Sequence, residues 1–206
     1  MMNKIRLDGK VTTEPEFSHE CKGEKFYKLF LEVERKSEVV DTLPCMVPEV
    51  FLKDVEVGEC IGINGEIRTR NNRIEGKSKL EIYVFVLGVD DYEGNDINYV
   101  ELEGYVCKVP IYRETPLGRE IADLTIASNR PYGKSDYIPC IVWGRNALIA
   151  SDIPVGAKVS LYGRLQSREY VKMLDDETRE IKVAYELSAS SLEILDESEE
   201  MDESIN

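Results

Sequence analysis

Between residues 130 and 168, aromatic rings and guanidinium groups interleave: Arg130, Tyr132, Tyr137, Trp143, Arg145, Tyr162, Arg164 and Arg168. Tyr137 and Trp143 stand six apart in DYIPCIVWGRNA (136–147), an even spacing that puts both on one side of a strand. Tyr162 and Arg164 share a side of a later strand by the same parity. Rings on an open sheet face stack on unpaired bases for ~1–3 kcal/mol each, and arginines between them pair with phosphates. The arrangement therefore suits single-stranded nucleic acid. It suits barrel or subunit packing equally well, because aromatics are enriched in strands and at interfaces.

Other chemistry finds little footing. No G-x-x-x-x-G-K-[ST], no G-x-G-x-x-G after a strand and no H-E-x-x-H occurs. The one histidine, His19, has Cys21 two residues on, yet Ser18–Gly23 is polar and reads as a solvated turn rather than a nucleophile pair or half a metal site. Asp175 and Asp176 lie in MLDDETRE, which reads as a hairpin tip. No catalytic residues, metal ligands or cofactor are assigned, and the chain is expected not to be an enzyme. The five cysteines are odd in number and lack C-x-x-C spacing, which points to reduced thiols serving partly as small core residues.

The elements that carry the rings come from a duplication. Sliding 5–47 onto 100–142 without gaps gives 11 identities in 43 positions, among them Gly9/Gly104, Arg35/Arg130, Asp41/Asp136 and Cys45/Cys140. Chance at average composition would give about 3. After a three-residue insertion the register resumes at Gly58/Gly156, Gly65/Gly163 and Arg70/Arg168. Two copies of this length are tandem domains, not a solenoid.

Each copy reads as all-β. IRLDGKV and VELEGYV alternate apolar and polar residues with the period of a half-buried strand. Further strands are expected at 26–35 and 120–129, 42–48 and 137–143, 59–69 and 157–168, and 80–88 and 181–194. A short helix or turn fits 49–55 and 145–151. Five strands with a helical insertion after the third predict two tandem OB-fold barrels, five-stranded and Greek-key. Pro44 and Pro139 inside strands are tolerable only at an edge or bulge.

The domain plan is then an N-terminal barrel over 1–90, a linker at 91–98, a C-terminal barrel over 99–195, and an acidic tail over 196–206 with six acids and no base, expected to be disordered. No apolar run approaches the ~18 residues of a membrane span, and MMNKIRLDG lacks a signal-peptide core, so a cytoplasmic, nucleoid-associated protein is expected.

A net charge of −14 argues against a generic polyanion binder, but the charge is unevenly placed. Residues 9–74 hold 10 bases and 13 acids, whereas 104–172 hold 10 bases and 6 acids, with six arginines among the bases. The outer-face positions of Tyr137, Trp143, Tyr162 and Arg164 become Thr42, Pro48, Asn64 and Glu66 in the first copy. One copy has kept rings and positive charge, and the other has a degenerate face.

The run DYIPCIVWGRNALIASDIPVGAKVSLYGRLQSREY (136–170) resembles the core of bacterial single-stranded DNA-binding proteins, a family with an aromatic-opened strand, an aromatic-Gly-basic triplet, an Ala-containing helix and a Gly-x-Leu-x-x-Arg strand. VEVGECIGINGEIRTRN (55–71) resembles it more weakly. The resemblance implies base stacking by Tyr137 and Trp143, basic contacts from Arg145 and Arg168, and a further stacking ring at Tyr132. It also implies assembly of four OB-folds, hence a homodimer at two per chain. Tails of that family end in an apolar Pro-Phe tip that docks replication and repair proteins, whereas this sequence ends Ser-Ile-Asn.

Two functions follow. One is sequence-tolerant single-stranded DNA binding in replication, recombination or repair, mainly by the second barrel, with possible replication or repair partners at the tail. The alternative is a duplicated OB-fold assembly protein that has lost DNA binding.

Overall fold

Ile5, Leu7 and Val11 point inward from the first strand and are buried, while Lys4, Arg6 and Lys10 point away from that core. The same alternation recurs along most strands of the computed structural model, which describes residues 1–74, 77–173 and 179–195. The tail at 196–206 and the tip residues 174–178 lie outside the described residues.

The chain divides into two compact units, one made of Lys4–Tyr99 with Leu165–Glu186, the other of Val100–Arg164 with Met1–Asn3 and the residues from Leu187 onward. The strand elements of the first are β1 (Asn3–Val11), β2 (Glu16–Cys21), β3 (Glu24–Glu34), β4 (Val40–Pro48), β5 (Cys60–Ile74) and β6 (Lys77–Asp91). A 3₁₀ turn at Glu49–Asp54 follows β4. β1 pairs antiparallel with β5 and with the start of β3, β3 with β4, and β5 with β6. A short parallel pairing of β4 with β6, Cys45 opposite Val84 and Met46 opposite Phe85, closes the ring. That is the five-stranded OB barrel, with Leu29, Leu31, Leu43, Ile63 and Ile67 sealed inside.

The second unit repeats it. Its elements are β7 (Ile97–Val106), β8 (Ile111–Glu114), β9 (Glu120–Arg130), β10 (Lys134–Trp143), the helix α1 (Arg145–Ser151), β11 (Lys158–Met173) and β12 (Arg179–Leu195). Here β7 pairs with β11 and β9, β9 with β10, β11 with β12, and β10 runs parallel to β12 at Cys140–Val142. In both copies the proline sits one residue before the parallel pairing, an edge position on that side, which is why the strand tolerates it.

The structure adds a sixth strand to each copy. β2 and β8 form hairpins with β3 and β9, and neither buries a side chain fully. Without a buried face they have no period-2 pattern to read. His19 accordingly lies in a strand, not in a turn. It stacks on Phe26 at 5.0 Å, and a bulge between Phe17 and His19 turns it there.

Gly9 and Gly104 mark the place where the first strand of each barrel crosses to the second. A Cβ at Gly104 would collide with the Ala127 carbonyl and the Ile126 side chain, and one at Gly9 with the Glu32 carbonyl. Only glycine lets the backbones approach that closely. Cys45 and Cys140 are core residues, and burial pushes the Cys45 thiol up to about 12, far from a reactive thiolate. No helix among the described residues is long and apolar enough to cross a membrane.

Candidate functional site

β10 sorts its side chains as its alternation requires. Ile138, Cys140 and Val142 face the core; on the other side Tyr137 is exposed and Pro139 and Trp143 are half-buried, but Ile141, expected to face out, is buried as well. Tyr137 is 47 % exposed, opposite Ala127 of β9. Trp143 is half-buried, and its Nε1–H donates to Ser188 Oγ at 3.1 Å from β12. The hydrogen bond fixes the indole edge and orients the ring. The two rings are about 20 Å apart along the strand, at ~3.3 Å per residue. An open cleft borders Trp143 and Gly144, with Arg119, Glu120 and Glu114 around it.

Tyr132 sits in the β9–β10 turn with φ 68°, the left-handed region, and its ring is fully exposed. A tyrosine there costs about 1–2 kcal/mol in backbone strain, which the barrel has no packing reason to bear. Gly144, at φ 57°, ends β10 and starts α1, so that Arg145 is exposed at the first helical position. Tyr162 and Arg164 lie half-buried on β11, two residues apart, and the Tyr162 carbonyl accepts a hydrogen bond from Ser190 Oγ.

Two of the sequence-selected arginines are otherwise engaged. Arg130 makes a two-point ion pair with the fully buried Asp136, its Nε and Nη2 each 2.5 Å from a carboxylate oxygen. Arg35 holds Asp41 in the same way in the first copy. A pair kept by both barrels belongs to the fold. Arg168 belongs with the other compact unit and lies 3.5 Å from Glu186. The structure thus gathers Tyr137, Trp143 and Arg145 along β10 and its end, with Tyr132 at the turn that opens it.

Two cations escaped sequence reasoning. Arg119 borders the Trp143 cleft, and Arg113 pairs with Asp123 on the outer face of β9. Both come from the β8–β9 hairpin, whose turn T-P-L-G was the only signal available. Among the described residues, no three His, Cys, Asp or Glu side chains come together to hold a metal.

The first barrel's outer face is not bare of rings. β3 presents Phe30 and β6 presents Tyr83 and Phe85, with the Arg68 guanidinium 3.4 Å over the Phe85 ring and Lys28 Nζ 5.0 Å over Phe30. β4 and β5, the strands equivalent to β10 and β11, carry no rings.

Residues 97–195 match the model of the Single-strand binding protein family. The single-stranded DNA-binding protein of Halalkalibacterium halodurans is 33% identical over 107 residues, which are 48% of this chain and 61% of that protein. Single-stranded DNA-binding protein A of Bacillus subtilis is 36% identical over 81 residues, 36% of this chain and 47% of that protein. The chain therefore spans less than two thirds of these curated relatives. Among solved structures, the wild-type single-stranded DNA binding protein of Thermus aquaticus aligns at a TM-score of 0.75 over 95% of this chain and 93% of that one, at 22% identity, and so shares the fold.

Proposed function

We propose that this chain, a member of the single-strand binding protein family through residues 97–195, binds single-stranded DNA without strong sequence preference, chiefly along β10 of the second barrel. The observation that carries the reading is the pair of rings on one side of one strand, Tyr137 exposed and Trp143 pinned edge-on by Ser188. Stacking on a ring face does not inspect base identity. Tyr132 extends the row at the turn, and Arg145 supplies a cation beside Trp143. Tyr162, Arg164 and Arg168 are proposed as flanking contacts. Arg130 contributes through Asp136, by holding the turn that carries Tyr132. The role is binding, not catalysis, in a cytoplasmic protein that acts in replication, recombination or repair.

Trp143 is the only tryptophan, so its fluorescence reports this face directly. Titration with poly-dT is expected to quench it, and the apparent Kd to weaken steadily with added salt as phosphate contacts release counterions. Absence of both quenching and a mobility shift would sink the proposal and favour the assembly-protein alternative. We further propose a homodimer presenting four OB-folds. Sedimentation equilibrium at micromolar concentration should return twice the 23.5 kDa chain mass, and a monomer would count against it.

A further inference from the structure

Trp143 carries one hydrogen-bond donor, the indole Nε1–H, and Ser188 Oγ accepts it at 3.1 Å. Ser188 is only 4 % exposed and stands opposite the buried Ile141 in the short parallel pairing of β10 with β12. On its other side β11 passes at Gly163, so close that a Cβ there would collide with the Ser188 carbonyl. The acceptor is therefore a buried hydroxyl on a backbone held from two sides, and it ties the indole edge to the wall of its own barrel. Two residues on, the Ser190 carbonyl accepts from Asn146 Nδ2 at 3.3 Å, beside Arg145 at the start of α1.

The first copy shows what the contact is for. By the same parallel register the counterpart of Ser188 is Phe85, opposite Met46, and the counterpart of Trp143 is Pro48. Where the indole is absent its acceptor is absent too, and the run Leu187, Ser188, Ala189, Ser190 becomes Val84, Phe85, Val86, Leu87. Both barrels close through these strands, so the fold itself asks for no hydroxyl there. A buried hydroxyl present only beside the indole serves the indole.

The chemical consequence lies at the base edges. An indole N–H free to point toward a bound strand donates to thymine O4 but meets another donor, the N4 amino group, on cytosine. Held by Ser188 it reads neither, and only the π-face of Trp143 remains for a base. We propose that Ser188 is the positioning residue that makes this end of the strand site blind to base identity, by occupying the one donor through which Trp143 could read a base. The inference rests on the DNA-binding reading above and adds how tolerance of sequence is built there.

The test uses the full chain, isotope-labelled for NMR, and dye-labelled dT and dC strands of equal length. Trp143, the only tryptophan, gives a single indole N–H signal. In the free protein, exchange of that proton with solvent should be at least about fivefold faster in Ser188→Ala than in wild type, the loss of one hydrogen bond. In the binding arm, the ratio of dT affinity to dC affinity should rise about 2- to 10-fold in Ser188→Ala. Adding Ser188→Ala to Trp143→Phe should leave the ratio where Trp143→Phe alone puts it, because no donor remains to be released. A purely structural role for Ser188 would instead weaken both strands alike, with or without the indole. Unchanged indole exchange, an unchanged ratio in Ser188→Ala, or a shift that persists without the indole would overturn the proposal. Wild type that binds neither strand would overturn the DNA-binding reading and this inference with it, a result distinct from tight binding with an unchanged ratio.

Discussion

Replacing Trp143 and Tyr137 together by alanine is expected to weaken single-stranded DNA binding by about 2–6 kcal/mol, from about 30-fold to about 10⁴-fold in Kd. Each ring stacks one base, and on one strand about 20 Å apart they act on different bases, so their losses should nearly add. Neither ring is needed for the core, whose β10 contribution is Ile138, Cys140, Ile141 and Val142. The folded state should therefore survive, with a cost near ~1 kcal/mol for the lost hydrogen bond to Ser188. Trp143→Phe separates stacking from orientation. It keeps a ring face but lacks the Nε1–H donor, so its affinity should fall between wild type and the alanine variant. Isothermal titration with oligo-dT at two salt concentrations reads both effects. A ring deletion that changed the salt slope but not the affinity would show that cations, not stacking, hold the strand.

How much of this could be read beforehand depended on whether a residue buried one face. The five barrel strands of each copy alternate, because one side of each is core, and alternation made them visible in IRLDGKV and VELEGYV. β2 and β8 bury nothing fully and left no such trace. The outer half of β11 posed the same difficulty, since Glu169, Tyr170 and Val171 are all exposed. Its proximity to the first barrel is a tertiary fact carried by Ser167 and Asp41, 126 residues apart. The ring-bearing face of β10 was legible because both copies could be compared strand for strand. Phe85 was not, since it lies opposite Met46 where the second copy sets Ser188 opposite Ile141, on last strands whose spacing differs between copies. The fold role of Arg130 was written in the repeat itself. Arg35/Arg130 and Asp41/Asp136 are both among the identities, always six apart, and a coupled pair of opposite charges is better read as a partnership than as two surface residues.

Asp41→Ala is expected to be the most destabilising polar substitution in the chain. The carboxylate is fully buried and accepts two guanidinium hydrogen bonds from Arg35, at 2.6 and 2.5 Å, and the Ser167 N–H at 2.7 Å. Removing it leaves a largely buried cation without its counter-charge, a loss of about 3–5 kcal/mol. The backbone N–H of Ser167 loses its acceptor as well, adding about 1–3 kcal/mol where water cannot reach it. Asp136→Ala should show the same kind of loss at Arg130, the equivalent pair. The pH dependence is also fixed in sign. Hydrogen bonding to Asp41 raises the Arg35 guanidinium above its ordinary range, so the cation's contribution is fully present below that range and fades only as pH rises through the raised folded-state value. Urea denaturation at neutral pH should therefore place the Asp41→Ala midpoint well below that of wild type. A midpoint equal to that of wild type would mean that Arg35 and the Ser167 N–H find other partners and that Asp41 does not hold the outer half of β11.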